Sequence, residues 1–351
     1  MRVVVTLLSA FLLLPACDGL RRAEARDSGP HPPSPPPSGT VAASPPTRCG
    51  GCLSIERCSS GRCVPDCPAG EVYIPATGPN GFTLGRDLQD VRDRSHTVVL
   101  TRPFCMDQTE VSVAQYRDCV AHRGCEVPKL FDVNSNYRFE REDHPVNMVH
   151  FDQAMFYCKS LGKTVPTEAQ WIWAAGHGDG RKYPWGDEDP TCENERADFT
   201  PGGAPKSDPA GDVGCGGGNT SPVGSHPRGR SSWPTGDLFD LGGNVWEWTR
   251  DCSLPFGAER QVDPNPTTHP RLGDGCWVFA LVGGGWNRSA TALEVGWRAA
   301  ARRNYQVPGL GFRCIREPAA VPRREHAEPG AEPPPHEPGR VTSNLGAPAS
   351  H

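Results

Sequence analysis

The sequence predicts an α+β domain with little regular secondary structure, held together by disulfides. Three observations carry this. The chain of 351 residues contains 15 cysteines, an unusual supply of bridge-forming side chains. Its 40 glycines and 38 prolines are spread throughout and interrupt long elements. Few segments keep a sustained hydrophobic period, so helices and strands are expected to be short, with much irregular chain between them.

The first residues read as an export signal. Arg2 supplies a positive charge, and residues 3–14 form an apolar run broken only by Thr6 and Ser9. That run is too short to span a bilayer and fits a signal peptide. Leu14-Pro15-Ala16-Cys17 follows and looks like a bacterial lipobox, in which Cys17 is diacylated and becomes the mature N-terminus. Residues 1–16 are therefore expected to be a lipoprotein signal peptide. The acyl chains would anchor the protein to a membrane of the cell envelope, outside the cytoplasm. Ordinary secretion with cleavage nearby is the plainer alternative. Residues 17–48 are proline-rich and nearly free of large apolar side chains, which makes a tether. The tail 317–351, rich in Pro, Glu, Ala and Gly, cannot bury enough apolar surface to offset its ordering entropy and is expected to be disordered. The net charge of −5 comes from interspersed acids and bases, with no basic stripe, so nucleic acid is not an expected partner.

A lipidated Cys17 leaves an even number of cysteines for pairing. Cys49, Cys52, Cys58, Cys63 and Cys67 crowd into residues 49–67. The Cys49-Gly50-Gly51-Cys52 spacing matches redox and zinc motifs, but no strand–helix pattern and no second ligand pair surround it, so a small disulfide knot is expected. The remaining cysteines lie in the domain that follows. Both groups are odd in number, so at least one bridge should join them, and Cys67 to Cys105 is the expected pair. Cys119 and Cys125 are near enough to close a local loop. Cys192 and Cys215 frame a Gly-rich insertion, and Cys252 and Cys276 a Pro-rich one. Spacing alone does not fix connectivity.

Residues 68–316 form the expected domain. Strands are predicted at Glu71–Ile74, at 97–100 and at 244–248. Ser112 and Gln115 have the spacing of a capping box, which starts a helix over Val113–His122 with Gly124 beyond its end. Phe151, Met155, Cys158 and Leu161 share one face and predict a helix over 152–161. Thr167 and Gln170 repeat the capping box, and Gly176 is the expected stop. Alternation in the strand 244–248 puts Trp246 and Trp248 on one face, as core residues rather than a site. Gly283-Gly284-Gly285 reads as a tight turn before a strand. Gly162-Lys163-Thr164 lacks the first glycine of a phosphate loop, since position 157 is Tyr157. No Gly-x-Ser-x-Gly elbow occurs. His144 and His150 have no third ligand in view. The glycosylation patterns at Asn219 and Asn287 read as chance matches.

Several blocks occur in a fixed order. They are Glu71-Val72-Tyr73-Ile74-Pro75, Thr109-Glu110-Val111-Ser112, His144-Pro145-Val146-Asn147, Leu161-Gly162-Lys163-Thr164-Val165-Pro166-Thr167-Glu168-Ala169-Gln170-Trp171, Tyr183-Pro184-Trp185-Gly186, Gly243-Asn244-Val245-Trp246-Glu247-Trp248 and Gly311-Phe312-Arg313. Together they resemble the formylglycine-generating enzyme family, also called sulfatase-modifying factors. The resemblance implies a compact, irregular fold related to C-type lectins. It also implies a Cys158–Cys314 bridge, whereas a second family bridge is lost at Ala175. The family's enzymes oxidise a sulfatase cysteine to formylglycine with a cysteine pair, copper and oxygen, and thiolates suit Cu(I). By position those cysteines fall at Arg288 and at Leu293 or Glu294, and no cysteine occurs between Cys276 and Cys314. The resemblance therefore points to a non-catalytic binding or scaffold module without copper. Its binding surface would lie within 286–305 and include Trp286, Asn287, Arg288 and Tyr305. An envelope protein or a glycan is the expected partner. A divergent oxidase, or another enzyme on the same fold, is the alternative. Asp198 stands where the family has an asparagine calcium ligand, and its oxygens suit calcium; a solvated loop carboxylate is the plainer reading. A second calcium loop is altered to Pro234-Thr235-Gly236-Asp237.

Overall fold

The computed structural model describes residues 56–59, 62–65, 67–85, 94–201, 215, 217–267 and 275–316. The expected signal peptide, Cys17, the tether, Cys49, Cys52 and the tail 317–351 lie outside the described residues.

The described chain opens with a hairpin, β1 (Glu56–Ser59) and β2 (Arg62–Pro65), whose register sets Cys58 opposite Cys63. The domain begins with β3 (Glu71–Ile74), β4 (Phe82–Leu84), β5 (His96–Val99) and β6 (Phe104–Asp107). Three helices follow: α1 (Val113–His122), α2 (Phe151–Ser160) and α3 (Glu168–Gly176). The rest is β7 (Ser231–Trp233), β8 (Gly236–Leu238), β9 (Trp246–Cys252), β10 (Gln261–Val262), β11 (Val278–Val282), β12 (Arg298–Arg302), β13 (Leu310–Gly311) and β14 (Ile315–Arg316). One sheet has the order β14-β6-β3, so the first and last strands of the domain flank the same neighbour. A second is β10-β5-β4, and the largest is β12-β11-β9-β13.

Local sequence explains most element ends. Ser112 and Thr167 each accept a hydrogen bond from the backbone N–H three residues on, and Gln115 and Gln170 return it. The middle helix starts one residue earlier than its apolar spacing predicts. His150 Nδ1 accepts from the Gln153 N–H, and Gln153 Oε1 accepts from the His150 N–H, so a histidine builds the capping box. The strand expected at 97–100 is His96–Val99, because Leu100 N–H turns to Thr77 Oγ1. The strand expected at 244–248 starts at Trp246 and continues to Cys252. Asn244 cannot begin it, since its φ of 57° is left-handed and its side chain bonds Ser221 N–H and Glu110. The glycine run at 283–285 follows β11 rather than preceding a strand. Gly283 and Gly284 have positive φ, and a Cβ on Gly284 would stand 2.8 Å from the Ala292 carbonyl oxygen.

Strand β9 is buried on both faces. Trp248 is fully buried and donates from Nε1 to Val149 O at 3.1 Å. On the other face Glu247 pairs with Arg313 at 2.8 Å, both fully buried, and takes a 2.9 Å bond from Trp171 Nε1. The Trp-Glu-Trp and Gly-Phe-Arg blocks thus meet in one buried ion pair. Beside it, Glu110 is pushed well above the usual carboxylate range, by burial first and by the charge of Asp240 next. Disulfides join Cys67 to Cys105, Cys119 to Cys125, Cys158 to Cys314, Cys192 to Cys215 and Cys252 to Cys276. The Cys158–Cys314 bridge ties α2 to the chain just before β14 across a sequence separation of 156.

Candidate binding groove

The turn after β11 builds one wall of a groove with a volume of about 1150 Å³. The backbone there is fixed at several points. Trp286 N–H donates to Asn244 O at 2.7 Å, and Arg288 N–H to Gly285 O at 2.9 Å. Thr200 donates from its N–H to Arg288 O and from its hydroxyl to Trp286 O, at 2.9 and 2.8 Å. With the main chain held, Trp286, Asn287 and Arg288 line the groove. Trp246, Trp297 and Tyr305 add aromatic surface, Ala299, Ala300 and Ala301 of β12 form a smooth side, and the loop 131–134 supplies the far rim. Phe131 and Val133 on that rim are 77% and 73% exposed.

The structure separates the positions where the family's cysteines fall. Arg288 lies in the groove and is exposed. Leu293 is buried in the larger hydrophobic cluster. Glu294 is nearly buried, 4.0 Å from Lys182 and away from the groove lining. No cysteine is among the described residues that line the groove, and every described cysteine side chain from Cys67 onward is in a bridge. These residues do not fit Cu(I) held by thiolates.

Asp198 is 1% exposed, not solvated. Its Oδ2 accepts from the Ser221 hydroxyl at 2.9 Å, and its carbonyl accepts from Asn244 N–H at 2.9 Å. A calcium ion needs six to eight oxygens, and among the described residues no cluster of three His, Cys, Asp or Glu side chains is placed to hold a metal. The altered loop Pro234-Thr235-Gly236-Asp237 is the β7–β8 turn, where the Thr235 hydroxyl donates to Tyr73 O.

A second, smaller cavity of about 510 Å³ escaped sequence reasoning. Glu168, Asp251, Phe256 and Arg298 line it. Asp251 is buried at the N-terminus of α3 and accepts from Glu168 N–H at 2.9 Å. Burial, and next the Glu168 charge, push its pKa up to about 8. Arg298 bonds Glu168 at 3.0 Å and stacks over Phe256 at 4.1 Å. The available signal was the alternation Glu247, Thr249, Asp251 on one face of a strand longer than its tryptophans suggest.

Residues 66–318 match the family model described as the sulfatase-modifying factor enzyme 1-like domain. The chain belongs to that family. The formylglycine-generating enzyme of Streptomyces coelicolor is 35% identical over 184 residues, covering 50% of this chain and 54% of that protein. The chain thus spans about half the length of that relative. The protein named inactive C-alpha-formylglycine-generating enzyme 2 of Mus musculus is 31% identical over 280 residues, covering 67% of this chain and 83% of that one. Among solved structures, Treponema denticola variable protein 1 is 20% identical with a TM-score of 0.51, covering 71% of this chain and 95% of that chain, and so shares the fold alone. The family thus includes relatives named as enzymes and relatives named inactive, so membership leaves activity to the site.

Proposed function

We propose that this chain is a cell-envelope lipoprotein whose family domain is a non-catalytic binding module. The groove bounded by Trp286, Asn287, Arg288 and Tyr305 is its binding surface. One observation carries the reading: the groove that would hold a cysteine pair presents Arg288 instead, and Leu293 stands in the core. An arginine is permanently charged and offers only donors, so it neither binds a soft cation nor forms a mixed disulfide. It does recognise carboxylates and other anions well. The match to a relative named inactive supports the same reading. Membrane attachment rests on Leu14-Pro15-Ala16-Cys17, and mass spectrometry of the mature N-terminal peptide tests it. Lipid on Cys17 is expected, and a mature N-terminus at another, unmodified residue would remove the anchor. The catalytic question is tested by incubating the copper-treated protein, in air with a reductant, with a peptide carrying Cys-x-Pro-x-Arg. No aldehyde above the no-enzyme control is expected.

A further inference from the structure

We infer that the groove takes an acidic polypeptide segment in extended form, added as a new strand to the open edge of β12. This rests on the binding-module reading and specifies the ligand.

In the order β12-β11-β9-β13, strand β12 has one neighbour. Its register pairs Ala301 with Phe279 and Ala299 with Leu281, and Arg303 N–H donates to Trp277 O at 2.9 Å. In an antiparallel ladder every second residue exchanges bonds with its partner. Residues 303, 301 and 299 therefore face β11, while Arg298, Ala300 and Arg302 direct their backbone groups to the open edge. Tyr305 N–H takes the Arg302 carbonyl at 2.8 Å. The Ala300 N–H and C=O and the Arg302 N–H remain as a template, and Ala300 is exposed. The alanine side chains of β12 leave that edge unobstructed, which suits main-chain recognition by strand addition.

Charge selects the kind of chain. Arg288 and Arg302 line the groove, are exposed, and make no ion pair among the described residues. Lys129 lines the adjoining recess, which shares Phe131, Asp132, Arg302 and Tyr305 with the groove. Among the described residues the one acid there, Asp132, already accepts from Asn134 N–H at 2.8 Å. The groove is thus locally basic on a chain of net charge −5. Carboxylates at alternate positions of an added strand fall on one face and can meet these cations.

The test is calorimetric titration of the full chain with two decapeptides, one alternating Glu and Val and the other alternating Lys and Val. The Glu peptide is expected to bind roughly tenfold or more tightly than the Lys peptide, with affinity falling as salt rises. N-methylation of alternate backbone nitrogens should cost it a further tenfold or so, because strand addition needs those donors. Ala300→Pro should weaken the Glu peptide similarly while the melting temperature holds, since a proline on an edge removes only an outward N–H. If that variant does not fold, Arg288→Glu and the methylated peptide carry the test. Equal binding of both peptides, indifference to N-methylation, no peptide binding, or binding of a chito-oligosaccharide instead would each overturn the inference. Failure of the binding-module reading is distinguishable, because it would appear as aldehyde on a cysteine-containing peptide.

Discussion

Arg288 was legible in the sequence because the blocks around it fix the register, and a missing thiol needs no structure to be noticed. What the sequence hid was how differently its companions lie. Leu293 is core, and Glu294 is turned toward Lys182. Asp198 shows the same limit: a carboxylate in a loop reads as solvated, and only the contact with Ser221 reveals it as buried. Buried charge makes two predictions. Asp251 has a folded pKa near 8, above the usual carboxylate value of about 4. A raised pKa means the folded state holds the proton more tightly, so this group's stabilisation is full below the ordinary value and is lost as pH rises through 8. Asp251→Asn keeps an oxygen for Glu168 N–H and removes that loss. Urea midpoints should therefore favour the variant increasingly from pH 5 to 8.5, and an advantage that shrinks with pH would contradict the assignment. Arg313→Met leaves Glu247 buried without its cation and should cost about 3–5 kcal/mol by chemical denaturation.

Elements were legible wherever a local rule sets them. The Ser112 and Thr167 boxes place α1 and α3, because a hydroxyl followed three residues later by Gln satisfies two orphan N–H groups. The start of α2 was not legible, since the rule is written for hydroxyls and His150 supplies a ring nitrogen instead. His150→Ala should cost about 0.5–2 kcal/mol and His150→Ser should restore most of it, as read by denaturant midpoints. If alanine and serine destabilise alike, the ring packs rather than caps. Strand β9 ran past its prediction because Glu247, Thr249 and Asp251 look like a solvent face. Each instead meets a buried partner: Arg313, Ala280 O and Glu168 N–H. Strand β12, Arg298-Ala299-Ala300-Ala301-Arg302, carries no alternation at all. Its role at the groove comes from pairing with β11, which no local pattern encodes.

At the scale of the molecule, the ordered blocks made the family and the irregular, disulfide-rich α+β domain legible. The groove was legible only in part. Trp286, Asn287, Arg288 and Tyr305 lie close in sequence, but Phe131, Asp132 and Trp246 reach the same cavity from distant segments. The ends of the domain are held together by β3 and β14 on either side of β6 and by Cys158–Cys314. Replacing both of those cysteines with alanine should cost about 2–4 kcal/mol while leaving the groove's hydrogen bonds intact, measured as a lowered denaturant midpoint. The central claim is that this family groove binds without oxidising. Its most direct test is mass spectrometry of a Cys-x-Pro-x-Arg peptide after aerobic incubation with the copper-treated full chain, run beside the Streptomyces coelicolor enzyme. The account predicts aldehyde from the control enzyme and an unchanged cysteine from this protein; aldehyde from both would contradict it.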